Sequence, residues 1–245
     1  MKNILTIAAK EFKSYFVSPM AYAVMAFILL ISGFIFVFMT TTQGPPPEAS
    51  LRQFTGTVIF LLILMTPVVT MRLFAEEKSS GTLEILMSSP VREYEVVLGK
   101  YLASLGFLAV VILSTLEFPV FITAITHSTS KQWPEMWPMV VSYVGWIVSG
   151  AAFLSVGVLA STLTRSQLAA AILALLMLLV FWLIGWLAGM QTGVYADVLK
   201  QLHISEHVSQ FEQGVLGLKD VVYFLSMIVF FLFASTRTIE STRWR

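Results

Sequence analysis

Apolar residues in this chain fall into six long runs separated by short polar stretches. The runs cover residues 20–39, 54–73, 96–125, 138–159, 168–190 and 218–235. Crossing the hydrocarbon core of a bilayer takes roughly 20 apolar residues in a helix, so the pattern predicts six transmembrane helices. Ser18 with Pro19, and Ser89 with Pro90, read as a helix cap followed by a first helical position. Pro67 predicts a kink in the second span, and Glu117 with Pro119 predicts a break in the third. Trp133 and Trp137 stand where interfacial anchors belong, just before the fourth span.

Two polar stretches show helical spacing of their own. In residues 1–17, Asn3, Thr6, Lys10 and Lys13 recur three or four apart, with Ile4, Leu5, Ala8, Phe12, Tyr15 and Phe16 mostly opposite. That pattern predicts a helix lying in the membrane interface. Residues 74–91 carry Glu76, Glu77, Lys78 and Glu84 around Leu83, Ile85, Leu86 and Met87. They predict a short amphipathic helix opening at Ser80 and Gly81 and closing at Pro90. About one or two turns of helix are marginal alone in water, so the ends of the spans or a partner must hold it. An exposed stripe of Leu83, Leu86 and Met87 beside acidic residues suits a groove on another protein; the competing reading lays it on the membrane surface.

Composition agrees with a membrane protein. Of 245 residues 57% are hydrophobic and 12% charged, and mean hydropathy is +0.84; a soluble domain carries about 25% charged residues. The expected fold is therefore all-α, one transmembrane domain over residues 1–245. No cysteine is present, which excludes disulfide and thiol chemistry. No basic patch interleaved with aromatics points to nucleic acid. The N-terminus does not read as a cleaved signal, because Lys10, Glu11 and Lys13 precede an apolar run too long for a signal core. Lys2, Lys10, Lys13, Arg72, Lys78, Arg92, Lys100, Arg165, Arg237, Arg243 and Arg245 fall on one side of the six-span topology, and only Arg52, Lys131, Lys200 and Lys219 on the other. The excess of positive charge places both termini and residues 74–91 in the cytoplasm.

Four features carry candidate chemistry. A nucleotide-binding loop is absent: Gly99-Lys100 is followed by Tyr101, and Tyr94 stands where the first glycine belongs. His203, Glu206 and His207 form H-x-x-E-H, a zinc-peptidase pattern that on a helix puts both rings on one face. No catalytic domain surrounds it and no third ligand is obvious. Glu117 is the one carboxylate expected inside a span, where it must pair, face water or be protonated, and a proton- or ion-coupled carrier would use it. Gly185, Gly189 and Gly193 form a doubled G-x-x-x-G, a spacing that lets helices approach closely, within the chain or across a dimer seam.

At EEKSSGTLEILMSSPV, residues 76–91, the chain resembles the permease subunits of ABC-2 type exporters, whose pattern there is similar to E-K-x-x-G-T-L-E-x-L-L-x-S-P-V. A second stretch, SEHVSQFEQGVLGLKDVVYFLS, is similar to the end of the gliding-motility GldF-like branch and of the NosY-like permease, through His207, Phe211, Gly214, Asp220 and Phe224. The resemblance implies the following. Residues 1–17 form an interfacial elbow. Residues 82–87 form a coupling helix seated on a cytoplasmic ATPase, with Glu76, Glu77, Gly81, Thr82, Leu83, Glu84, Leu86 and Met87 as its contact. Residues 191–217 form short helices dipping back from the outer face. Two permeases, identical or homologous, make a twelve-span pathway on two ATPases that hold ATP and magnesium, with a periplasmic accessory protein as a further partner. ATP-driven displacement of the coupling helices switches the bundle as a rigid body, so this chain needs no catalytic residue.

Overall fold

In the computed structural model, residues 2–42, 52–88, 91–130, 136–190 and 203–243 are described, and within them every regular element is a helix. In chain order these are α1 (Lys2–Val17), α2 (Pro19–Thr42), α3 (Arg52–Thr70), α4 (Ala75–Ser80), α5 (Thr82–Ser88), α6 (Glu93–Ser114), α7 (Glu117–Ser130), α8 (Met136–Leu163), α9 (Gln167–Met190), α10 (Ile204–Glu212) and α11 (Leu218–Arg243). Six segments are long and apolar enough to cross a membrane: α2, α3 continued through α4, α6 continued into α7, α8, α9 and α11.

The centre of the bundle is α8, which touches α3, α6, α9, α10 and α11. Its richness in small residues, Gly145, Ser149, Gly150, Ala151, Ala152, Ser155 and Gly157, is what lets so many helices approach one axis. The outer spans α2, α9 and α11 keep large apolar side chains such as Leu30, Phe34, Leu168, Leu176, Val229 and Phe230 exposed, as lipid-facing helices do.

The third span breaks just before Glu117. Residues 115 and 116 form a turn, α7 starts at Glu117, and Pro119 sits in its first turn. A proline inside a helix clashes with the carbonyl four residues back. Residue 115 is that position, and the chain leaves the helix there. The turn is held inside the bundle: Thr115 and Tyr143 share a hydroxyl contact of 3.1 Å, and the Tyr143 hydroxyl donates to the Thr115 carbonyl at 2.7 Å.

The start of α1 and the later turns of α11 lie at the same end. Ile4 and Leu5 of α1, Leu98 and Tyr101 of α6, and Leu232 and Thr236 of α11 line one apolar cleft of about 590 Å³. The amphipathic α1 lies along α6, where the missing side chains of Gly99 and Gly106 receive Ile7 and Phe12, and Tyr15 stacks on Phe107 at 4.9 Å.

Candidate functional site

The polar residues of this end converge on the α3–α4 junction. Arg72 donates to the Glu76 carboxylate at 2.9 Å and to the Ser18 hydroxyl at 3.0 Å. The Tyr15 hydroxyl donates to the Val69 carbonyl at 3.1 Å. Burial, with Glu11 adding to it and Arg72 opposing, pushes the Tyr15 phenol up, so it stays a neutral donor.

Lys100 is the hub. It is 2% exposed, and its ammonium donates to Glu77 at 2.8 Å and to Glu11 at 3.1 Å, 5.5 Å from the centre of the Phe74 ring. One cation of α6 thus holds one carboxylate from α1 and one from α4. The second oxygen of Glu77 is buried without a hydrogen-bond partner. A polar cleft of about 420 Å³ opens beside these groups, lined by Glu11, Ser14, Arg72, Glu76, Ser80 and Thr82 among others.

The short α4 would be marginal by itself, and α8 supplies what it lacks. Phe74, at the N-cap, has no side chain able to accept from the first-turn amides. The buried Ser161 hydroxyl does so instead, accepting from the N–H groups of Phe74 at 3.0 Å and Ala75 at 3.1 Å and donating to the Met71 carbonyl at 3.3 Å. At the other end of α4, Lys78 donates to the Thr162 carbonyl near the end of α8. Gly81 then turns the chain with φ of 72°, the left-handed cap that glycine adopts without strain, and α5 follows.

The helix expected between Gly81 and Pro90 is α5, and a further short helix, α4, precedes it across the Gly81 hinge. Leu83 is 5% exposed and part of the core, so it anchors α5 and does not belong to an outward stripe. Gly81, Thr82 and Glu84 are exposed. The side chains of Leu86 and Met87 lie outside the described residues. Glu76 and Glu77, expected to reach basic groups on another protein, are engaged inside the chain by Arg72 and Lys100. Spacing of four could suggest the Arg72–Glu76 pair but not Glu77–Lys100, because Lys100 comes from α6. The signal that was there is Lys100, a lysine set inside the apolar run VVLGKYLA.

The sequence matches the ABC-2 family transporter protein family over residues 5–237, nearly its whole length. The chain belongs to the ABC-2 transporter family. No curated protein matches it. It is a multi-pass membrane permease of an ABC transporter, and ABC-2 permeases work with a cytoplasmic ABC ATPase.

At the opposite end of this ABC-2 permease the other sequence candidates separate. His203 is not helical; it is the N-cap of α10 with extended backbone, so it does not share a helix face with His207. Glu206 is exposed, whereas His207 is 2% exposed, with Nδ1 2.6 Å from Asp220 Oδ1 and its ring stacked on Tyr223 at 4.0 Å. Partial burial pushes the His203 imidazole below its ordinary value, Glu206 opposing. Among the described residues no three metal-ligating side chains converge. The H-x-x-E-H string is a cap, a surface carboxylate and a buried strut.

Glu117 lies near the end of the third candidate span, Glu93–Phe121, exposed on the bundle surface in the first turn of α7; the break at residues 115–116 puts it at a helix N-terminus, where a carboxylate is favoured. The side chain of His127, its conceivable partner, lies outside the described residues. Gly185 and Gly189 are in α9, in a stretch where side-chain surroundings lie outside the described residues, as Gly193 and residues 191–202 do altogether.

The second resembling stretch forms one packed unit. Phe211 and Phe224 stack at 6.0 Å, Gly214 takes φ of 73° against Pro138, and Phe211 lies over Gly145 of α8. With Ile204 and Val208 buried and Glu206 and Gln213 exposed, α10 lies amphipathically across the end of the bundle.

Proposed function

We propose that α4 and α5 are the element through which a cytoplasmic ATPase drives this permease, and that the end carrying both termini faces the cytoplasm. The observation behind this reading is the construction of the α4–α5 segment. Its base is fixed to α8 by Ser161 and Lys78, to α6 by Glu77 and to the core by Leu83, while Thr82 and Glu84 are left exposed beyond the Gly81 hinge. Such a segment passes a push on its outer face into α8 and the core behind it. The excess of lysine and arginine at this end supports the orientation.

In this reading two permeases, alike or homologous, form the pathway of an exporter in a bacterial inner membrane, and ATP and magnesium are bound by the partner chains. The second resembling stretch favours the GldF-like or NosY-like branch, and a periplasmic accessory protein would contact the α10 end.

Glu84 makes no ion pair among the described residues and supplies the test. Glu84→Lys should leave folding unchanged, since exposed substitutions away from special features stay within about 0.5 kcal/mol. It should reduce retention of the ATPase in a detergent pull-down from membranes. Retention equal to that of the unaltered chain, for both Glu84→Lys and Thr82→Lys, would sink the reading.

A further inference from the structure

A buried cation with two carboxylates is more than one neutral pair needs. Lys100 is 2% exposed, and leaving an ammonium at such a site without an anion is strongly unfavourable. Its two anions belong to different bodies. Glu11 is on the elbow helix α1, which lies on α6 along most of its length through Ile7, Phe12, Tyr15 and Phe16. Glu77 is on α4, the helix that leads into Gly81 and α5.

The two bonds are not equivalent. Glu77 gives one oxygen to Lys100, and its other oxygen is buried with no partner. A buried unsatisfied acceptor is destabilising, so the Glu77 arm is held under a penalty that leaving relieves. Glu77 sits at the wall of the polar cleft shared with Ser14, Arg72, Ser80 and Thr82, so its carboxylate has polar surroundings into which to move.

We infer that Lys100 is a hand-over latch: when the coupling segment is displaced, Glu77 lets go while Glu11 keeps the buried ammonium neutralised. The spare carboxylate lowers the barrier to releasing α4, because no step leaves a bare charge in the bundle. α1 and α6 therefore move as one body and α4 moves against them. The inference rests on the coupling role proposed for α4 and α5, and it assigns to Lys100, Glu11 and Glu77 the positioning of that segment.

The chain contains no cysteine, so single cysteines can be introduced as label sites without background. Exposed positions Lys13 on α1, Ser79 on α4 and Leu102 on α6 serve. Distances between spin labels at 79 and 102, and at 13 and 102, are measured by pulsed electron resonance in proteoliposomes. The samples are the permease alone and its complex with the partner ATPase, with and without ATP and vanadate.

The 79–102 distribution should gain a longer population on trapping, and the 13–102 distribution should not change. Glu77→Gln should show the longer 79–102 population without nucleotide, in the permease alone. Glu11→Gln should not, because Lys100 then has only Glu77 to hold and holds it more firmly; the trapped population should fall. Lengthening at 13–102 in place of 79–102, or identical behaviour of the two glutamine variants, would overturn the latch. Failure of the ATPase to bind would sink the coupling reading, and the comparison of the two variants in the permease alone would still decide the latch.

Discussion

Gly145→Ala tests the seating of α10 on the bundle with the smallest change available. A Cβ added at position 145 would lie 2.6 Å from Phe211 Cδ2 and 2.7 Å from Phe211 Cβ, where ordinary contact starts at 3.4 Å. Because the Phe211 Cβ is itself too close, rotating the ring does not relieve the clash, and α10 must lift from α8. Overpacking of this kind costs about 1–3 kcal/mol. Exchanging glycine for alanine inside a helix returns about 1 kcal/mol by itself. The net expectation is a loss of up to about 2 kcal/mol, concentrated in α10.

The assay is hydrogen exchange in nanodiscs together with a double-mutant cycle. Since about 1.4 kcal/mol is a factor of ten, exchange over residues 204–212 should rise roughly tenfold while α3 and α6 keep their protection. In a Phe211→Gly background the obstacle is gone, Cβ included, and Gly145→Ala should become neutral or stabilising. The difference between the two backgrounds is the coupling energy, expected at about 1–3 kcal/mol for residues in contact. If Gly145→Ala stabilised the protein equally in both backgrounds, α10 would not be seated on α8 in the way the geometry requires.

Three further outcomes follow from the same contacts. Ser161→Ala strips the acceptor from two buried amides and should destabilise α4 by about 1–3 kcal/mol, read as faster hydrogen exchange in residues 75–80 with α8 unaffected. Gly81→Ala forces φ of 72° on a residue with a Cβ but meets nothing within 4 Å, so it should cost only about 1–2 kcal/mol of local backbone strain. Gly81→Asn should recover most of that in thermal unfolding followed by tryptophan fluorescence. His207→Ala removes a partner from a carboxylate only 7% exposed and should lower thermal stability by about 1–3 kcal/mol. The pair change with Asp220→Ala should be less damaging than the two single effects summed, and a simple sum would mean the 2.6 Å contact is energetically idle.

The long apolar runs alone determined that the chain is helical with six candidate spans, because an uninterrupted run of about 20 apolar residues satisfies its backbone in lipid as a helix, whereas barrel strands are shorter and alternate. The sequence pattern also marked the amphipathic N-terminal helix, whose one apolar face needed a surface to lie on, and the Gly81 break, which glycine announces by its chemistry. The sequence misplaced what depends on partners far along the chain. Glu117 falls within an apolar run as expected, yet its side chain is on the surface of the bundle, at the start of the helix that follows the turn at residues 115–116. Glu77 looked like an outward charge, yet Lys100, on another helix, claims it. His203 and His207 looked like a ligand pair, until a helix start between them sent one to a cap and the other to Asp220. Local pattern fixes which face of a helix is apolar, but only packing decides which charge lies within reach of which. A buried ion pair joins residues that share no periodicity, and so it becomes legible only once the helices have met.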